Sequence, residues 1–196
     1  MQFQAAVLHD GTDRMALEPV TLAELRDEEV LVRIVAAGIC HSDIAIREAK
    51  YPCSRPVILG HEGAGIVERV GAGVTKVAPG DRVVLSFTSC GHCPSCDDAA
   101  PAYCHQFGPL NTSGLRGDGS SALQAADGST VGGHFFGQSS FAAYAVANIR
   151  NVVKVRDDAP LELLGPFGCG IQTGAGAVLI SLHAKAGEAL VVVGAG

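Results

Sequence analysis

No cluster of lysine or arginine occurs anywhere in this chain, and its formal net charge is −6. The electrostatic footprint of a nucleic-acid or anionic-membrane partner is therefore missing. No apolar run is long enough to cross a bilayer: the longest, near Ala175 to Leu182, is ended by His183 and Lys185, well short of the ~20 residues a spanning helix needs. The first ten residues have neither the basic segment nor the apolar stretch of a secretory leader, and the expectation is a cytoplasmic protein. Aromatic residues are scarce (seven Phe, three Tyr, no Trp) beside 25 glycines, a composition that points to a turn-rich, β-rich fold. Nor is there an internal repeat of solenoid length. Hydrophobic residues make up 47% and charged residues 17%, the balance of a folded globular chain. At 196 residues the expectation is one domain, or one and part of another, with a core that needs no disulfide.

Strand signals come early. Residues 2–8 and 29–37 alternate or run apolar, and the second run ends at Gly38-Ile39-Cys40-His41-Ser42-Asp43, ahead of a helical stretch. Pro52 and Pro56 mark a loop. Val57-Ile58-Leu59 then leads into Gly60-His61-Glu62-Gly63-Ala64-Gly65, read as a strand, a sharp glycine bend carrying two ligand-capable side chains, and a second strand. Short strands are expected at 83–85, 141–146 and 151–155, with loops and small hairpins over the Gly- and Ser-rich residues 111–140. Residues 161–184 are helix-compatible, with a break at Pro166 and Gly168–Gly170.

Seven cysteines are present, and four crowd into Cys90-Gly-His-Cys93-Pro-Ser-Cys96 and Cys104. In a reducing compartment this means metal more readily than disulfides. Three closely spaced thiolates and a fourth after a short excursion can close a tetrahedron around Zn²⁺. An Fe–S run of the bacterial ferredoxin type has a shorter last gap and a proline after its fourth cysteine; here His105 follows Cys104. A structural zinc is expected. Cys40, His61 and Cys169 are further soft or borderline donors. Two cysteines and a histidine with one open position form a known catalytic zinc set, although each residue singly is more often a buried thiol or a satisfied histidine. Cys53 is expected to be a loop thiol, and His9, His92, His105, His134 and His183 to be solvated or structural; Phe87, Phe135 and Phe136 could line a substrate pocket, but core packing is the expected use.

Gly-Ile-Cys-His-Ser-Asp (38–43), Gly-His-Glu-Gly-Ala-Gly (60–65), the four-cysteine lobe, Pro-Gly-Asp-Arg-Val (79–83) and Gly-Cys-Gly-Ile-Gln-Thr-Gly-Ala-Gly (168–176) together resemble the zinc-dependent medium-chain alcohol dehydrogenases. The stretch 165–174 is most like the aryl (benzyl) alcohol dehydrogenase branch. The resemblance implies an α/β, β-rich architecture. A GroES-like catalytic domain would occupy residues 1–165, with a linking helix and the start of a Rossmann domain at 166–196. Ala189–Val193 would be that domain's first strand and Gly194-Ala195-Gly196 its phosphate turn, so the chain is expected to be a fragment of a longer protein.

The resemblance also implies roles. Cys40, His61 and Cys169 would hold a catalytic zinc, with Glu62 a carboxylate close to the metal. Ser42 would take the substrate's proton, and Asp43 would orient the ligand histidine. His41 would meet the cofactor pyrophosphate, Thr173 the nicotinamide, and Gly194 and Gly196 the phosphates. Where some members carry a relay histidine this chain has Ala45, which leaves His41 or water to pass the proton on. Two zinc ions per chain, NAD(P), a small alcohol or aldehyde substrate and a homo-oligomer are expected, with no nucleic-acid or membrane partner. The reaction would oxidise primary aromatic or allylic alcohols. A glutathione-dependent formaldehyde dehydrogenase is the alternative, and this piece alone would be a non-catalytic zinc module.

Overall fold

The computed structural model describes residues 1–194 of the chain. The described residues form ten strands: β1 (Gln2–Leu8), β2 (Met15–Leu22), β3 (Glu29–Ala37), β4 (Val57–Ile58), β5 (Gly63–Val70), β6 (Arg82–Leu85), β7 (Leu123–Gln124), β8 (Thr130–Val131), β9 (Tyr144–Asn148) and β10 (Val152–Lys154). They make two five-stranded sheets, β4-β1-β2-β7-β8 and β10-β6-β5-β3-β9, whose paired strands are antiparallel.

Strand β1 forms where the sequence alternates: Phe3, Ala5 and Val7 are buried and Gln2 and Gln4 exposed. Strand β3 is flanked by β5 and β9, and its residues serve two cores in turn. Leu31 joins Phe3, Val7, Val20, Ile58 and Val146 on one face, while Val30 and Val32 join Val67, Val83, Leu85 and Val152 on the other. Opposite faces at successive residues are the geometry of a strand. Burying each such side chain contributes roughly 1.5–3 kcal/mol.

Strand β2 was not expected, because Met-Ala-Leu-Glu-Pro-Val-Thr-Leu has no clean alternation and Leu17 is exposed. It forms because β1 pairs with it from Gln2↔Thr21 to Leu8↔Met15, all but its last residue. β7 meets it only at Thr21 and Leu22, so Pro19 lies where its missing N–H breaks no second ladder.

The described residues also form five short α-helices: α1 (His41–Arg47), α2 (Pro94–Asp97) and α3 (Phe107–Thr112) between strands, and α4 (Leu161–Leu164) and α5 (Gly170–Gly176) after β10. The expected break is present. Leu161–Gly168 and Gly170–Ser181 meet at a 54° bend, and no single helix among the described residues is long and apolar enough to cross a membrane. The run Ala189–Val193, expected as a strand, is exposed and carries no strand pairing. Apolarity alone does not make a ladder, and no described strand lies beside it to take its hydrogen bonds. Gly194 follows with φ +91°, and Gly196 falls outside the described residues.

Candidate metal centres

Strand β3 ends at Ala37 and α1 begins at His41, which leaves Cys40 as the residue that enters the helix, in extended backbone. Asp43 sits in the first turn of α1, where the helix dipole favours a carboxylate. It is buried, and it accepts three hydrogen bonds at 3.0 Å: from Cys40 N on Oδ2, and from Gly60 N and His61 Nδ1 on Oδ1. Gly60 makes the bend possible, since its φ is +89° and a side chain there would strike Phe141. With Nδ1 facing Asp43, the imidazole presents Nε2 inward as a lone pair.

That Nε2 is buried and has no hydrogen-bond partner. A buried polar atom without a partner is costly, and what faces it explains the vacancy in its bonding. The donor atoms of Cys40, His61 and Cys169 lie within 4.8 Å of one another, and the two sulfurs are 3.9 Å apart. Burial disfavours a charged imidazole, but Asp43 and the Cys40 sulfur outweigh it and raise the His61 pKa above the ordinary value. Burial likewise opposes ionisation of Cys40, yet the Ser42 N–H and hydroxyl and His61 hold its thiol below the usual range. Burial, then the Cys40 sulfur and the Glu62 carboxylate, push the Cys169 thiol up to about 12. The pocket concentrates negative character and draws in positive charge, as a cation site must.

Cys169 is carried on the bend between the two helical pieces. The glycine before it is required, because a side chain at Gly168 would run into the Leu85 carbonyl. Ser86 Oγ donates to the Gly168 carbonyl at 3.1 Å, and so does Gln172 Nε2.

The remaining expected residues fall around this cluster. Ser42 is the second residue of α1, exposed, with Oγ 3.8 Å from Cys40 Sγ; it does not cap the helix. His41 and Thr173 are exposed, the latter on α5. Glu62 is buried and is not among the converging donors: its Oε1 accepts from Gly170 N at 3.2 Å, and its carbonyl accepts from Gly38 N at 3.0 Å.

Two further side chains lie beside the site: Phe136, expected to pack in the core, and Gln138, which carries no sequence signal. Phe136, at φ 48°, stacks on the His61 ring at 4.5 Å and 25°. Phe107 meets Phe136 at 6.3 Å, and Phe87 meets Phe107 at 5.5 Å. These three half-buried rings form a row leading away from His61, whereas Phe135 is a core residue. Gln138 is fully buried beside the same bend.

The second centre is the thiolate lobe. Cys90, Cys93, Cys96 and Cys104 bring their sulfurs within 4.8 Å of one another, with Cys90–Cys96 at 3.9 Å and Cys93–Cys96 at 3.6 Å. A regular tetrahedron with Zn–S bonds of about 2.3 Å has sulfurs about 3.8 Å apart, so the four fit a closed zinc site. Backbone N–H groups aim at the sulfurs: Cys90 N at Cys104 Sγ (3.3 Å), Gln106 N at the same atom (3.4 Å) and His105 N at Cys93 Sγ (3.5 Å). The His105 N–H is the main reason that the Cys93 thiol falls to about 6. A cavity of about 660 Å³ lies beside this lobe, lined in part by Glu29, His92, Arg116 and His134; none of Cys40, His61 and Cys169 borders it.

Residues 26–157 match the family model described as the alcohol dehydrogenase GroES-like domain. The chain is 52% identical over 194 residues to a geraniol dehydrogenase of Castellaniella defragrans, covering 98% of this chain and 52% of that protein. Among solved structures, an alcohol dehydrogenase zinc-binding domain protein from Burkholderia ambifaria superposes with a TM-score of 0.90 at 51% identity, over 93% of this chain and 50% of the other. Benzyl alcohol dehydrogenase from Acinetobacter calcoaceticus gives a TM-score of 0.86 at 46% identity, over 93% and 49%. The chain spans about half the length of the curated relatives it matches.

Proposed function

The chain belongs to the alcohol dehydrogenase family with a GroES-like domain, and from that premise we propose that the complete protein is a zinc- and NAD(P)-dependent, homo-oligomeric enzyme. It oxidises primary aromatic or allylic alcohols to aldehydes. The observation that carries the reading is the buried, partnerless His61 Nε2 facing the Cys40 and Cys169 sulfurs. Cys40, His61 and Cys169 would hold a zinc ion, which would supply a Lewis acid for the substrate hydroxyl, and a bound nicotinamide would supply the hydride acceptor.

The chain's own groups do the rest. Asp43 holds the His61 tautomer and orientation. Ser42 Oγ, exposed at the edge of the cluster, accepts the substrate's proton, and exposed His41 beside it carries the proton on, since Ala45 is buried in α1 and has no titratable group. Residues 1–165 form the catalytic domain, and 166–196 lead into the nucleotide-binding domain, where Thr173, Gly194 and Gly196 meet the cofactor. Cys90, Cys93, Cys96 and Cys104 hold a second, structural zinc.

The substrate class is supported by two relatives, one named for geraniol and one for benzyl alcohol, which share an unsaturated carbon next to the carbinol. The Phe87, Phe107 and Phe136 row offers flat apolar surface suited to such a group. The test is a substrate panel on the complete enzyme. Benzyl alcohol and geraniol should exceed ethanol in kcat/KM by at least about tenfold, the scale an apolar pocket can supply. A preference for S-(hydroxymethyl)glutathione would overturn the assignment in favour of formaldehyde metabolism.

A further inference from the structure

We propose that Gln138, with Ser86 behind it, is a positioning residue that sets the separation of His61 and Cys169; this rests on the reading of Cys40, His61 and Cys169 as a metal site. Gln138 has no exposed surface. A primary amide in that position must satisfy both of its ends, and all of its bonds go to backbone of distant segments. Oε1 accepts from Gly63 N at 3.0 Å, while Nε2 donates to His61 O at 2.9 Å and to Ser86 O at 3.2 Å. One planar group therefore grips the chain on both sides of Glu62 and ties it to the end of β6.

The strand ladder cannot do this work. β5 and β6 pair from Ile66↔Arg82 to Ala64↔Val84 and go no further. Continued, that register would set Glu62 opposite Ser86, just where the chain turns away to form the bend. Gln138 occupies the gap and takes the hydrogen bonds that a ladder would have made. From Ser86 the path goes on. Its Oγ donates to Gly168 O at 3.1 Å, the carbonyl next to Cys169, and Gln172 Nε2 donates to Ser86 Oγ at 3.1 Å. Hydrogen bonds passing through Gln138 and the body of Ser86 thus join the carbonyl of His61 to the peptide that leads into Cys169, across more than a hundred residues of chain. Phe136, two positions before Gln138, stacks on the His61 ring itself, so the same segment orients the ring and fixes the backbone that bears it.

The test is zinc release from the loaded full chain to a chromophoric chelator. The wild type should release two zinc ions in two phases, a fast one from the three-donor cluster and a slow one from the thiolate lobe. A Cys169→Ser variant, lacking the fast phase, identifies it. Gln138→Met keeps the length and volume of the side chain and deletes its three hydrogen bonds. It should speed the fast phase by about tenfold or more, the usual effect of losing a group that orients a ligand, and leave the slow phase unchanged. Cobalt in place of zinc should show a shifted visible absorption for the three-donor cluster alone.

Acceleration of both phases together would mean general loosening and would overturn the proposal, as would no change in either. If Gln138→Met fails to fold, Ser86→Ala keeps the bond from Gln138 to the Ser86 carbonyl, removes the Ser86 Oγ bonds to Gly168 O and Gln172 Nε2, and should speed the fast phase alone; an unchanged fast phase there overturns the proposal. A wild type that holds one zinc and has no fast phase defeats the metal-site reading itself, an outcome distinct from the others.

Discussion

Asp43 and His61 face each other with Oδ1 3.0 Å from Nδ1, and neither side chain is more than 3% exposed. This pair decides which ring nitrogen points at the Cys40 and Cys169 sulfurs. Asp43→Asn keeps the shape but removes the charge, and its amide can turn a donor toward Nδ1, favouring the wrong tautomer. Zinc affinity of this cluster should fall 10–100-fold. Dialysis against a chelator followed by atomic absorption should find the variant retaining one zinc where the wild type retains two. Equal retention would show that the carboxylate does not orient the ligand.

Ser42 is exposed on α1, its hydroxyl touching only the Cys40 sulfur among the side-chain hydrogen bonds of the described residues. Ser42→Ala should therefore shift the thermal midpoint negligibly, since exposed substitutions away from special features stay within about 0.5 kcal/mol. Alcohol oxidation by the complete enzyme should nonetheless fall by about 10²- to 10⁴-fold in kcat, the span of general acid–base catalysis. Steady-state rates at saturating substrate measure it, and a kcat near wild type would remove Ser42 from the proton path.

Between residues 90 and 112 only Cys93, Cys104 and Asn111 are buried, so apart from the half-buried Phe107 ring against Phe87 and Phe136 this lobe has little apolar packing to hold it. Metal coordination, worth on the order of 10 kcal/mol in zinc-finger peptides, is left as its main source of order. Cys104→Ser should lose one zinc and become open to protease cleavage within the lobe, while β1 to β6 remain folded. Limited proteolysis with mass spectrometry reads this directly; an intact, resistant lobe would contradict a structural zinc.

The sequence was most legible where one residue type has one physical use. Alternating apolar residues announced β1, the continuous run announced β3, and the spacing of Cys90, Cys93, Cys96 and Cys104 announced a four-sulfur centre that the structure brings together. Cys40, His61 and Cys169 were found through the motifs around them, because residues 129 positions apart carry no spacing rule. What stayed hidden depends on partners. β2 exists because β1 pairs with it, and Ala189–Val193 carries no strand pairing because nothing described lies alongside. Gln138 is a single amide in a Gly- and Ser-rich stretch without periodicity. Its importance lies wholly in the three backbone groups it reaches.

His134, expected to be solvated or structural, proves to be buried, and it makes stability depend on pH. Its Nε2 accepts from Ala122 N at 3.1 Å, which requires the neutral ring. Burial, followed by the charge of Arg116, lowers its pKa from 6.5 to about 4, with Arg26 adding to the effect and Glu29 and Asp118 opposing it. The sign follows from which state takes the proton. Between pH 6.5 and 4 the unfolded chain binds a proton at this residue that the folded chain refuses, so stability is lost as pH falls through that window. At one pKa unit per 1.36 kcal/mol, the loss should reach about 2–3 kcal/mol near pH 4.5. His134→Gln preserves an acceptor for Ala122 N and cannot titrate. The zinc ligands and carboxylates are common to both proteins, so their own pH effects cancel in the comparison. Denaturant unfolding at pH 7.5, 6 and 4.5 should show the stability advantage of wild type over His134→Gln shrinking by that amount as the solution is acidified. A constant difference would mean that His134 is protonated as readily inside the fold as outside it.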